Sequence, residues 1–405
     1  MEQTRATSGV ATLEYPATRW AVALLVSIAL VVLTQLYSAI PLIAPVSADL
    51  GADVTFALST TFSLCYAVGF LVWGPLADQF GRRRILLLGL AGLTILTAAC
   101  ALASSVTMLG VLRGGQGFVA ASFAPVALAY LAEAVPPARR GVALGAMATA
   151  FLVAGVGGQA IPEAMAVLFG WRLTFAAGRL LLALGFLALV VWLRESPRER
   201  GSASLARRFV LLGEIAAQPP VIFLAAAHVT LLFSLVAMYT ALGPHLAEFG
   251  LEPSQVLVLR LVGLPGMFVS LLSSGLVARL GRTRVAQVGF GVAALGLVLE
   301  ALLAGSLVGL AAASLLFVSG VALAVPVMIG LFGESAAPNR ASGMALNGFV
   351  LFLGASLGPL AAGTGIAFPW LLAGLAMLLL LAVLSLAGVR RLERSASRPD
   401  ESVAR

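Results

Sequence analysis

Ionisable side chains set in long apolar runs are where this chain has chemistry to perform. Arg113, Arg179, Arg260 and His228 occupy such positions. A charge in hydrocarbon is expensive and ordinarily faces a cavity or a partner. Arg113 stands close before Gln116, and the pair reads as lining a cavity. For Arg179 and Arg260, snorkelling outward and lining a cavity are equally good readings. His228 is the central side chain whose type titrates near neutral pH, although bonding to a neighbouring helix explains it as well. Acidic residues avoid the middle of the apolar runs: Glu163 and Glu300 fall near one set of ends, Glu133 and Glu334 near the other. Gln35, Tyr37, Tyr66, Gln159, Tyr239 and Asn347 add scattered hydrogen-bonding groups at depth. Together these residues describe a mostly apolar site for a neutral or amphipathic organic molecule. An organic anion fits if Arg179 or Arg260 joins Arg113; a cation would want an acid that the middle of the runs does not supply.

The elements that must carry these residues are membrane spans. The chain has 405 residues, 60% hydrophobic and 10% charged, with mean hydropathy +1.05. A soluble domain cannot hide that much apolar surface. At about 20 apolar residues per span, twelve spans are expected, at 20–46, 55–77, 85–103, 107–131, 141–162, 171–193, 220–242, 254–280, 285–304, 307–332, 341–364 and 370–389. The leading run is too long for a signal peptide. Between the second and third spans stands Gly74-Pro75-Leu76-Ala77-Asp78-Gln79-Phe80-Gly81-Arg82-Arg83-Arg84, which its charge confines to a membrane surface. Gly74 is expected to let another helix approach, and Gly81 to allow the reversal. Asp78 is expected to meet the N-terminus of span eleven at Arg340, closing an inner gate with Arg82 and Arg84.

The pattern G-x-L-A-D-x-x-G-R-R-R at this place resembles the signature loop of the major facilitator superfamily of secondary transporters. Leu112-Arg113-Gly114-Gly115-Gln116-Gly117 resembles a second element of that family, in the fourth span. The resemblance covers nearly the whole chain and is nearest in kind to bacterial drug:proton antiporters and sugar-efflux members. Gly155-Val156-Gly157-Gly158-Gln159 matches the antiporter motif only in part, lacking its Gly-Pro. The resemblance implies an all-α fold of two six-helix bundles, alternating access, and a role in proton coupling for Arg113. His228 and Asp78 are the other candidates for that coupling.

Composition excludes several classes. Every basic residue other than His228 and His245 is an arginine, and the absence of lysine rules out a P-loop ATPase. The +8 charge reflects topology rather than nucleic-acid binding, because the arginines gather on one side. Cys65 and Cys100 have no metal-binding spacing, so neither metal nor cofactor is expected. With two histidines and no G-x-S-x-G or H-E-x-x-H, an intramembrane enzyme is a poor reading; a non-transporting sensor is the remaining different class.

The two halves repeat. A shift of 200 carries Gly81-Arg82-Arg83-Arg84-Ile85 onto Gly281-Arg282-Thr283-Arg284-Val285, and Arg140 onto Arg340. Tyr37-Ser38-Ala39-Ile40-Pro41 echoes Tyr239-Thr240-Ala241-Leu242-Gly243-Pro244, and Trp171 echoes Trp370. Such echoes imply two bundles related by an axis along the membrane normal, with a site between them. Ala278 stands where the first half has Asp78, so the latch is one-sided. The expected organisation is a cytoplasmic segment 1–19, a bundle 20–193, a cytoplasmic linker 194–219, a bundle 220–389 and a cytoplasmic tail 390–405. The chain is expected to be a monomeric, multi-pass inner-membrane protein with both termini cytoplasmic. It would export a small organic compound in exchange for protons, with proton-coupled uptake of a sugar or organic acid as the rival.

Overall fold

The computed structural model describes residues 19–195, 204–250, 261–337 and 339–396. It is all-helical there. The helices are α1 (Arg19–Tyr37), α2 (Ala39–Leu50), α3 (Phe56–Phe80), α4 (Arg82–Cys100), α5 (Val106–Ala120) and α6 (Ala124–Ala134). Next come α7 (Pro137–Phe169), α8 (Trp171–Trp192), α9 (Leu205–Ala216) and α10 (Pro219–Ala247). The described chain closes with α11 (Leu264–Leu280), α12 (Arg282–Leu302), α13 (Leu307–Ser335), α14 (Arg340–Ala362) and α15 (Phe368–Ala396).

Among the described residues, ten helices are long and apolar enough to cross a membrane, and α7, bent by 41° between Gly155 and Gly157, makes eleven. The expected eighth span is seen only as the short α11; its start, with Arg260, lies outside the described residues. Two expected spans are each divided. The first breaks between Tyr37 and Ala39, just before Pro41, which lacks an N–H for the ladder. The fourth breaks between Ala120 and Ala124. The first turn of α3, Phe56–Thr60, is π-helical. These interruptions expose backbone carbonyls inside the protein, and the site depends on them.

The polypeptide reverses at single glycines. Gly81, with φ +105°, joins α3 to α4, and Gly281, with φ +81°, joins α11 to α12. Gly74 behaves otherwise than expected: α3 runs past it to Phe80, and a side chain there would meet open space. The close approach comes higher in the helix, at Gly69, where a Cβ would lie 2.5 Å from that of Ala121. Leucines on α8, α12 and α15 face outward in long exposed rows, and Trp20, Trp192 and Trp370 are exposed at helix ends, the arrangement of a lipid-facing surface with interfacial aromatics.

Candidate functional site

The best-packed contact between the first and second halves of the chain is the antiparallel pair α3 and α14. Tyr66 meets Phe352 edge-on at 4.5 Å between ring centroids, and Phe70 lies 5.3 Å from the same ring. Phe70 fits where Gly348 has no side chain; a Cβ on Gly348 would fall 2.0 Å from the Phe70 ring. Any larger residue would collide with an aromatic held by its own helix. A second seam lies between α7 and α11, where Thr149 and Val153 face Leu264, Met267 and Leu271 across a shallow apolar cleft. Met267 reaches to 3.3 Å from the place of a Cβ on Gly155, which also adjoins Tyr37.

The residues expected to line a chamber are buried: Gln35, Tyr37, Tyr66, Arg113, Gln116, Gln159, His228, Tyr239 and Asn347 all expose 8% or less. In this structure they are held shut, rather than opened onto a cavity. Arg113 is the clearest correction to a cavity-lining role. It is 0% exposed, and its guanidinium is enclosed by the first half. Nε donates to Leu58 O at 2.8 Å, Nη2 to Gln35 O at 3.0 Å and Nη1 to Gln116 Oε1 at 2.6 Å. The ring of Phe62 lies 4.3 Å beneath it. Leu58 is in the π-helical turn and Gln35 stands at the break between α1 and α2. Irregular backbone therefore supplies acceptors that a regular helix keeps for itself. Gln116 Nε2 passes the network on to Thr97 Oγ1 at 2.7 Å and Gln35 Oε1 at 3.2 Å. Gly117 brings α5 against α3 closely enough for this: a Cβ there would lie 2.1 Å from Phe62 O.

The second half is less complete. His228 is 0% exposed, packed 5.5 Å from the Phe332 ring with the Asn347 side chain as its polar neighbour. Neither of its ring nitrogens, nor Asn347 Oδ1, makes a hydrogen bond of good geometry. Tyr66 Oη and Gln159 Oε1 are buried in the same condition, while Gln159 Nε2 donates to Gly155 O at 2.7 Å. Such groups are costly unless something completes them. Arg179 is exposed on α8 among outward leucines, so its side chain faces away from the seams.

At the arginine-rich end, Asp78 does not bond the N-terminus of α14. The pairing of Tyr66 with Phe352 and Phe70 with Gly348 puts it level with Arg340, but its carboxylate is ion-paired with Arg82 and with Arg208 of α9, the latter at 2.7 Å. Two fixed guanidinium groups outcompete a helix end. Arg82 also binds Glu133 at the end of α6, at 2.9 Å. Arg83 donates to Val190 O, and Glu195 accepts from the Arg83 backbone N–H, which fastens the hairpin to the end of α8. Arg84 and Arg340 are exposed. The linker helix α9 packs on α3, α10 and α14, beneath the seam that joins the halves. Sequence reasoning missed Arg208, whose signal was the polar linker's arginines alone. Arg282 repeats the pairing of Arg82 by binding Glu334.

These features define a helical, multi-span membrane protein with paired arginine hairpins and an aromatic seam between its halves. Residues 25–325 match the family model described as Major Facilitator Superfamily. The chain belongs to that family, whose members are transporters rather than enzymes. It is similar to the gallate transporter of Pseudomonas putida, 33% identical over 156 residues, covering 35% of this chain and 33% of that one. It is also similar to multidrug resistance protein Stp of Mycobacterium tuberculosis strain H37Rv, 32% identical over 38% of this chain and 28% of that protein. Multidrug resistance protein 3 of Bacillus subtilis is 27% identical over 38% and 30%. The matches thus span about a third of these relatives. A solved structure of the human organic anion transporter MFSD10 (TETRAN) shares the fold with TM-score 0.68, 17% identity, and coverage of 90% of this chain and 98% of that one.

Proposed function

We propose that this chain is a proton-coupled exporter of a small neutral or amphipathic organic compound, working by alternating access. In this reading twelve spans form two six-helix bundles, 20–193 and 220–389, related by a pseudo-twofold axis along the membrane normal. The observation that carries it is the Tyr66–Phe352 contact, a ring from each half meeting in the middle of α3 and α14. Besides that seam, the protein buries polar atoms that make no hydrogen bond of good geometry: Tyr66 Oη, Gln159 Oε1, the His228 ring nitrogens and Asn347 Oδ1. Parting the seam would open an apolar, ring-lined space edged by hydrogen-bonding groups, which suits an uncharged organic guest. The names of the distant mycobacterial and Bacillus relatives agree with efflux.

Arg113 holds the frame of the first bundle in this scheme, and Gln35 and Gln116 hold Arg113. The Asp78–Arg82–Arg208 cluster bolts the linker helix under the closed seam at the cytoplasmic end, and opening there must break it. The chain would act as a monomer in the inner membrane with both termini cytoplasmic. The test is accumulation of a panel of neutral, cationic and anionic fluorescent organic compounds by inside-out vesicles under an imposed pH gradient. Uptake that follows an acidic interior and collapses with the gradient is the expected result; no gradient-driven movement of any compound would overturn it. The resemblance to a gallate transporter favours one second reading, proton-driven uptake of a small aromatic acid. That reading predicts accumulation with the opposite sign of the gradient.

A further inference from the structure

Glu300 is a carboxyl for which nothing above accounts. It lies on α12, exposes 2% of its surface, and leaves Oε2 without a hydrogen-bond partner. The Ser314 hydroxyl of α13 hydrogen-bonds it. No arginine or histidine pairs with it among the described residues. The described elements packed on α12 bring no other titratable group to that level: α15 has none between Phe368 and Val389, and Arg279, Arg282, Arg284 and Glu334 stand at the opposite end.

Its position is not arbitrary. A shift of 200 carries Cys100 onto Glu300, and a shift of 201 carries Arg113 onto Ser314. The same shift of 201 carries Ser105, the N-cap of α5, onto Ser306, the N-cap of α13. Cys100 belongs to the Arg113 network, 3.7 Å from Gln116 Oε1. The pair that in the first half is a cysteine and a fully bonded cation is therefore, in the second, a half-bonded carboxyl and a serine.

The way in differs too. At the far end of the first half, Arg172 binds Asp49 at 2.6 Å and the Ala103 carbonyl at 3.4 Å. At the matching place in the second half, His245 Nε2 lies 3.0 Å from Ala304 O, with Nδ1 3.7 Å from the exposed Glu248 carboxylate. Ala304 is four residues beyond Glu300, in the turn that follows the end of α12 at Leu302. A histidine ring thus stands beside the Ala304 carbonyl, where the first half has a permanent cation beside that of Ala103.

We propose that Glu300, with Ser314 as its hydrogen-bonding partner and His245 with Glu248 at the entrance, is the proton-binding site of this transporter. Loading forms an O–H bond on Oε2 as an N–H bond of protonated His245, or an O–H bond of hydronium, is broken. Unloading returns that proton to water when the bundles expose the site to the other side. A buried carboxyl with no cation beside it is tolerated in its neutral form, and the free Oε2 is where the proton sits. The assignment to coupling rests on the proposed proton-driven transport; proton binding itself does not.

The experiment is infrared difference spectroscopy of the purified chain in lipid, stepped in pH, with the proton as the probe. The wild type is expected to show a protonated-carboxyl C=O band, lost as pH rises, that Glu300→Gln lacks. Ser314→Ala is expected to displace the band, which keeps the test valid if Glu300→Gln fails to fold. Identical spectra for the wild type and the folded Glu300→Gln, or an undisplaced band in Ser314→Ala, would overturn the site. In vesicles, Glu300→Gln is expected to lose gradient-driven accumulation of whichever compound the wild type accumulates; retention overturns the coupling role. If the wild type accumulates nothing while the band is present, the export reading falls and the proton site stands. Accumulation by the wild type with no Glu300 band has the reverse meaning.

Discussion

Two buried polar nodes, at matching places in the two halves, have opposite characters. Arg113 is surrounded: two backbone carbonyls, a glutamine and an aromatic face occupy its guanidinium. Glu300 has one hydroxyl and an idle oxygen. A completed node resists change because every alternative leaves something buried and unbonded. An incomplete node can accept a proton or a guest without first breaking a bond. The hairpins repeat the lesson at the basic end. Both turn at a positive-φ glycine and both tie an arginine to a glutamate, but only the first has the aspartate, Asp78, that also binds Arg208 of α9.

Breaking the first node has the largest expected effect. Arg113→Ala strands the Leu58 and Gln35 carbonyls and Gln116, at about 1–3 kcal/mol for each buried group, so a loss of roughly 3 kcal/mol or more is expected in SDS unfolding titrations. Glu300→Gln, the matching change, is expected to cost less than about 1 kcal/mol. Equal losses would abolish the contrast. Next is Gly348→Val, which drives a side chain into Phe70 and is expected to cost about 1–3 kcal/mol and to impair transport. Adding Phe70→Ala should restore part of both, because the two changes share one space. Asp78→Asn and Arg208→Gln should each weaken the seat of α9 by about 0.5–1 kcal/mol. Their effects should not add, and maleimide labelling of Leu212→Cys, on the buried face of α9, should rise in either. Smallest is Glu334→Gln at the end of α13, the partner of Arg282 in the second hairpin, whose ion pair is nearly half exposed; a change within about 0.5 kcal/mol is expected, and a larger one would make the hairpins equivalent.

Much of the frame was readable from residue types. The hairpin at Gly81, its repeat at Gly281, the association of Arg113 with Gln116, and the concentration of polar residues at depth all follow from where charge and glycine interrupt apolar runs. Which way a side chain points did not. In a soluble helix the polar face marks the outside, but a span is apolar toward lipid and toward its neighbours alike. Arg179 and Arg113 therefore look similar as text, although one is outside and the other enclosed. The acceptors of Arg113 are backbone atoms at breaks, which side-chain identity does not encode. Asp78 was expected to meet the N-terminus of α14 and instead pairs with Arg208, which reaches it from a linker more than a hundred residues away. Glu300 read as a helix-end residue; only packing against α13 reveals it as sealed.

The ring of Phe70 seated in the notch left by Gly348 also limits how the molecule moves. A tooth in a socket blocks sliding of α3 along α14, since displacement along the axis drives the aromatic into the next residue. It does not block the helices from hinging apart. A swing rather than a glide is the movement that this contact permits.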